Sequence, residues 1–217
     1  MAERIKVLKN RKLELPIKHK NGQSSSEQEP DGRKRRSARS SQQIADALMR
    51  LIEGGNYMPR AHELAGASGL SLRTVFRHIE DMESLFKDLA EQSYSEIMPI
   101  LMKPYGSADW KGQLDEAIDR RIIIYEKVMP FKLAADLRRF RSDALMANYR
   151  RSLDLEHAQL KGILPSGLQN DEVIFGSLQL AMSFQSWRRL RHDQDLSKTL
   201  AKDVVKKMAF SIVESQK

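Results

Sequence analysis

From residue 41 onward, apolar residues recur at three- and four-residue intervals almost without a break. No stretch alternates with the period of two that a half-buried strand requires. The pattern predicts an all-α chain of about nine helices. Ser40 and Gln43 stand at capping-box spacing, so the first helix is expected to open there. Ile44, Ala47, Leu48, Leu51 and Ile52 form its inner stripe, and Gly54-Gly55 stops it. A short second helix follows Pro59 and turns Ala61, Leu64 and Ala65 inward. In "ASGLS", Gly69 can take positive φ at little steric cost. Ser71 is placed to cap the third helix, "SLRTVFRHIE". There Leu72, Val75, Phe76 and Ile79 share one apolar face, opposite Arg73, Thr74, Arg77 and His78. Asp81 caps a longer fourth helix with the stripe Met82, Leu85, Phe86, Leu89, Ile97 and Leu101.

A break at "KPYGSAD" precedes a second set of helices. One is predicted over 110–129, carrying Leu114, Ile118, Ile122 and Tyr125 and interrupted by Pro130. A short helix over 131–140, a long one over 142–163 and a turn at "LPSG" come next. Long amphipathic helices over 170–192 and 197–214 finish the chain. Their short connection favours an antiparallel pair.

Helices two and three, joined by a short glycine-containing turn, have the layout of a helix-turn-helix. In that unit the second helix enters the DNA major groove while the first braces it across the backbone. Arg presents a fork to guanine O6 and N7, Thr a hydroxyl and a methyl, and His a donor to phosphate. The stretch "QIADALMRLIEGGNYMPRAHELAGASGLSLRTVFRHIEDMESLF" resembles the N-terminal domain of the TetR/AcrR family of transcriptional regulators. The matching features are the Ile-Ala opening, the Gly-aromatic close of helix one, "ELA" on helix two, "AGASGLS" at the turn and "TVFRHI" on the recognition helix. The resemblance covers residues 41 to 90.

Two positions depart from the family. Phe76 stands where members often carry a Tyr whose hydroxyl reaches a phosphate, and Met82 stands where many carry Lys. The resemblance implies a DNA-facing set of Arg60, Ser71, Arg73, Thr74, Phe76, Arg77 and His78. Arg35, Arg36 and Arg39 join it from the preceding basic cluster.

Charge sharpens the division of the chain. Residues 1–43 hold 12 Lys/Arg and 5 Asp/Glu, leaving 25 basic and 24 acidic residues in the remainder. The net charge of +8 is therefore an N-terminal property, suited to a polyanion partner such as nucleic acid. The expected organisation is a disordered basic arm over 1–40, a helix-turn-helix DNA-binding domain over 41–87, and a helical regulatory and dimerisation domain over 88–217. Zero cysteines exclude thiol nucleophiles and cysteine-ligated zinc. The five histidines are scattered, and no Gly-rich phosphate loop or Gly-x-Ser-x-Gly occurs. No catalytic residue, metal or cofactor is expected. No apolar run has membrane-spanning length and the N-terminus lacks an apolar signal segment, so a cytoplasmic protein without a membrane partner is expected.

The family's second domain binds a small inducer and supplies the dimer interface. Carried over by resemblance, the last two helices would pair with their copies as a four-helix bundle. Leu180, Phe184 and Trp187 would contribute from one, and Leu200, Val204, Met208 and Ile212 from the other. Candidate pocket aromatics are Tyr94, Trp110, Tyr125, Phe131 and Phe184, with Met129 and Met146 beside them. Arg121 and His157 could orient a ligand. The resulting expectation is a homodimeric repressor on a near-palindromic operator in double-stranded DNA, released by a small molecule. Two alternatives stay open: a ligand-independent architectural DNA-binding protein, and a small-molecule-binding helical protein with a vestigial helix-turn-helix.

Overall fold

The computed structural model describes residues 32–79 and 82–215, without the side chains of 33, 34, 79 and 82–85. The sequence expectations for residues 1–31, for Asp81 and for the Ile79, Met82 and Leu85 side chains lie outside the described residues. The described residues are all-α, as the periodicity requires. The helices are α1 (Gly32–Glu53), α2 (Ala61–Ser68), α3 (Leu72–Ile79), α4 (Met82–Leu101), α5 (Trp110–Asp136), α6 (Asp143–Ile163), α7 (Ser166–Asn170), α8 (Glu172–Ala181), α9 (Phe184–Arg188) and α10 (Lys198–Glu214). The chain divides into two units, residues 1–36 and 37–217, and the packing below concerns the second.

Several helix boundaries differ from the sequence expectation. The first helix opens at Gly32 instead of near Ser40, so the segment bearing Arg35, Arg36 and Arg39 is helical and exposed. Pro130 does not interrupt α5, which runs on to Asp136. A proline inside a helix costs roughly 3 kcal/mol. Here Val128, Met129, Phe131 and Ala134 are buried on either side of it, and that packing outweighs the lost hydrogen bond. The segment after Asp136 is a turn followed by a 3-10 turn over Arg139–Arg141, not a helix reaching 140.

The expected helix over 170–192 is likewise broken, at Met182-Ser183. Ser183 is extended and its Oγ accepts the Ser186 N–H at 3.1 Å, capping α9. The Met182 carbonyl accepts from Tyr125 Oη at 3.0 Å and Arg121 Nη1 at 3.2 Å. Side chains from α5 thus satisfy backbone freed by the break. A π-helical turn, Arg189–Asp193, follows α9.

Two apolar clusters form. The larger joins α5 and α6 to α8, α9 and α10, with Ile118, Leu160, Leu178 and Trp187 at its centre. The smaller joins Ile44, Leu48, Leu64, Val75 and Phe86 to Phe131, Ala134 and Leu145. The helix-turn-helix therefore shares its core with α5 and α6.

The loop between α4 and α5 is fastened by Glu116. Its carboxylate accepts the Gly106 N–H at 3.0 Å and both the N–H and the hydroxyl of Ser107 at 2.7 Å. These bonds, the Gly106 amide first, hold its pKa down to about 2. A pKa lowered in the folded state means that the contribution is complete above the ordinary carboxylate value. It disappears as pH falls through about 2. Carbon-detected NMR titration should therefore give Glu116 a midpoint of about 2. A midpoint in the ordinary range would mean that this loop is not held by it.

Candidate functional site

The α2–α3 unit is built by local hydrogen bonds. The Arg60 N–H donates to Glu63 Oε2 at 2.6 Å and Asn56 Nδ2 donates to Glu63 Oε1 at 3.1 Å, fixing the entry to α2. The Arg60 amide is the main cause of the lowered Glu63 pKa. At the exit, Gly69 adopts φ 71° and its N–H reaches the Ala65 carbonyl at 3.0 Å. A side chain there would be strained, because φ in this region brings Cβ against the backbone. Ser71 then caps α3, its Oγ accepting the Thr74 N–H at 3.2 Å and lying 2.9 Å from Thr74 Oγ1. From α1, Arg50 Nη2 donates to the Ala67 carbonyl at 2.9 Å and ties the turn to the first helix.

The face that α3 presents is rotated from the one expected. Val75 is fully buried, but Leu72 and Phe76 are 43% and 54% exposed. Arg73 and Arg77 are exposed beside them. At 3.6 residues per turn, Leu72, Arg73, Phe76 and Arg77 fill one continuous arc. Thr74 and His78 lie at its edge: both are half-buried, and His78 Nε2 is buried with no hydrogen-bond partner among the described residues. Leu72 and Phe76 therefore do not anchor the helix. Arg60 and Ser71, which precede α2 and α3, are also exposed.

Between α4, α5 and α6 lies a cavity of about 90 Å³ that opens to solvent. Four of the sequence-predicted pocket residues line it: Tyr94, Arg121, Tyr125 and Phe131. The others do not. Met129 and Phe184 are buried in the core, and Trp110 and Met146 are half-buried elsewhere. His157 is exposed, its ring 4.9 Å from Phe175 and its Nδ1 3.1 Å from Gln179 Nε2.

Sequence reasoning missed Lys132, Asp136, Arg139, Glu156 and Gln159, which also line the cavity. As isolated polar residues on amphipathic helices they read as solvated, and no spacing signal distinguishes them. The Lys132 ammonium sits 4.7 Å from the Phe184 ring centre, and its burial lowers its pKa. Arg139 pairs with Asp136 and stacks on Tyr149 at 4.1 Å.

Arg121 is only 3% exposed. Its Nε donates to Gln159 Oε1 at 2.9 Å, and its Nη2 to the Glu156 carbonyl at 2.6 Å. With the Met182 carbonyl, this guanidinium joins α5, α6 and the α8–α9 break. Burial raises the Tyr125 pKa well above the ordinary value, so the hydroxyl stays a neutral donor.

Of the expected interface residues, Leu180 and Leu200 are 68% and 50% exposed. Val204, Met208 and Ile212 are half-buried. Phe184 and Trp187 are instead in the chain's own core, because the break at Ser183 turns α9 inward against α5. Trp187 Nε1 donates to Glu126 Oε1 at 2.8 Å, and Arg191 Nε reaches the same oxygen at 3.0 Å.

No family model and no curated protein matches this chain. Among solved structures, it is similar in fold to a transcriptional regulator from Rhodococcus sp. Rha1, with a TM-score of 0.61 at 17% identity. The likeness covers 81% of this chain and 97% of that one. Among the described residues, no helix is long and apolar enough to cross a membrane.

Proposed function

We propose that the protein is a sequence-specific DNA-binding transcriptional regulator of the TetR/AcrR type. In this reading a homodimer represses by occupying its operator and is released by a small molecule. The observation that carries it is the arc of Leu72, Arg73, Phe76 and Arg77 on a helix held out by a glycine-capped turn. Arg side chains at that position donate to guanine edges or phosphates, and apolar ones contact the thymine methyl. Residues 41–87 form the DNA-binding domain and 88–217 the regulatory and dimerisation domain, with the basic residues of 1–40 adding phosphate contacts. The fold of the Rhodococcus regulator supports the reading.

Dimerisation through α8 and α10 is supported by their exposed apolar positions, Val173, Leu180 and Leu200. It also has a geometric reason. One recognition helix reads too few bases, and two spaced about 34 Å apart read a near-palindrome. Ligand release is supported by the cavity. Its wall residues Phe131 and Leu145 also belong to the core beneath α1–α3, so a ligand there can favour one placement of α3 over another.

In-vitro selection of random DNA by the full-length protein at near-physiological salt is expected to enrich a near-palindrome with half-sites about one turn apart. Salt-sensitive binding without enrichment would identify an architectural protein instead.

A further inference from the structure

The cavity is asymmetric in its hydrogen bonding. Among the described residues, three buried polar side-chain atoms without a partner belong to its lining: Tyr94 Oη, Gln159 Nε2 and Arg139 Nε. Every one of them can donate a hydrogen bond, and only the tyrosine can also accept. The orientation of Gln159 follows from its neighbour. A guanidinium has no acceptor, so the amide must give its oxygen to Arg121 and turn its NH2 away. Tyr105 is this amide's neighbour: the Gln159 NH2 lies near enough to its hydroxyl to oppose the rise in pKa that burial causes, but not in hydrogen-bond geometry, so Nε2 stays unsatisfied.

Charge points the same way. The wall carries Arg121, Lys132 and Arg139 against Asp136 and Glu156, a surplus of one positive charge. Asp136 is already engaged by Arg139 and by Gln185 Nε2 at 3.2 Å. Glu156 faces both Lys132 and the Tyr125–Arg121 pair, and offsets one cation of the two. The three hydrogen bonds of Arg121 go to neutral oxygens. The remainder of the wall is apolar, with Ile97, Leu101, Ile124 and Val128 between the polar groups. Unmet donors and one unbalanced positive charge in an apolar space are complementary to a ligand with one anionic acceptor head and a hydrocarbon body.

We propose that the cavity binds a small monocarboxylic acid, its carboxylate received by Gln159 Nε2 beside Arg121 and its apolar body lying along α4 and α5. This rests on the reading of the cavity as an effector site and names the chemical class of the effector.

The test uses the full-length protein without DNA. Titration calorimetry and thermal shift would compare hexanoate, octanoate and phenylacetate with octanamide, phenylacetamide and octylammonium. At least one acid is expected to bind, its matched amide about tenfold more weakly, and the ammonium not at all. Gln159→Glu keeps an oxygen for Arg121 but replaces the free donor with a negative charge. It should abolish acid binding and spare the amide. Tyr94→Phe removes a single oxygen atom and should weaken the acid several-fold, which keeps the test decisive if the first variant does not fold. An amide or amine that binds as well as its acid, an acid indifferent to both variants, or no binding by any acid would overturn the proposal. Acid binding without an operator would retain this site and remove the regulator reading. An operator without acid binding would do the reverse.

Discussion

Replacing Trp187 by alanine is expected to destabilise the isolated chain by about 3–5 kcal/mol, at the upper end for single substitutions. The indole is 1% exposed at the centre of the larger cluster and packs with Ile118, Ile122, Met182 and Val205 around a small void. Its removal enlarges that void, and the helices of the bundle cannot close it without moving α9. It also removes the N–H that Glu126 accepts at 2.8 Å, leaving a half-buried carboxylate to Arg191 alone. Trp187→Phe keeps most of the volume and loses only the donor, so it should cost roughly 1–2 kcal/mol. Chemical denaturation at several protein concentrations separates this account from the interface role expected from sequence. A buried Trp187 predicts a loss independent of concentration. A loss that vanishes as the protein is diluted below its dimer dissociation constant would put the indole back at the interface.

The same residue illustrates what the sequence makes legible. Periodicity identified the helices of the bundle, because burial of an i, i+3, i+4 stripe is the main thing that stabilises a helix in a protein. It could not say which body a stripe faces. Leu180 and Trp187 recur at one helical spacing, yet one is exposed and the other in the core, because the chain breaks at Met182-Ser183 between them. That break depends on Tyr125 and Arg121, 57 and 61 residues away, reaching the freed Met182 carbonyl. No local signal reports a partner so distant. Pro130 failed in the opposite sense, as a strong local signal overridden by burial on both sides.

On α3 the difficulty was angular. Leu72, Val75, Phe76 and Ile79 make a coherent apolar arc, but eight residues give the core little to hold. Val75 faces the core shared with α1 and α2, while Leu72 and Phe76 are left toward solvent. The glycine turn and the caps were legible because each needs a particular residue type at a fixed offset: Gly69 at positive φ and Ser71 ahead of Thr74. The cavity's polar wall was not, since Lys132 and Gln159 have ordinary positions on their helices, Arg139 sits in a 3-10 turn, and all three acquire meaning only from the facing side chains.

Arg73→Ala should have the largest effect on operator affinity, and the exposed face of α3 gives the reason. Arg73 is the second residue of the helix, and the N-terminal residues of a recognition helix meet base edges. A bidentate Arg–guanine contact is worth about 1–3 kcal/mol. In the proposed homodimer each substitution removes two such contacts, so the expected loss is about 2–6 kcal/mol, or roughly 30-fold to 10⁴-fold in affinity. Non-specific DNA should be bound almost as before, since it never used the guanine. Arg77 lies one turn further along the same arc, where phosphate is the natural partner. Arg77→Ala should weaken specific and non-specific DNA together and flatten the dependence of log K on log salt by about one per half-site. Phe76 stands between them and can only contact apolar surface, so thymine replaced by deoxyuridine in the half-site should mimic Phe76→Ala and add nothing to it. Fluorescence anisotropy on the selected operator and on a scrambled duplex at two salt concentrations measures all of these. If Arg73→Ala lost affinity equally on both duplexes, the base-reading edge of α3 would have to be sought among other residues.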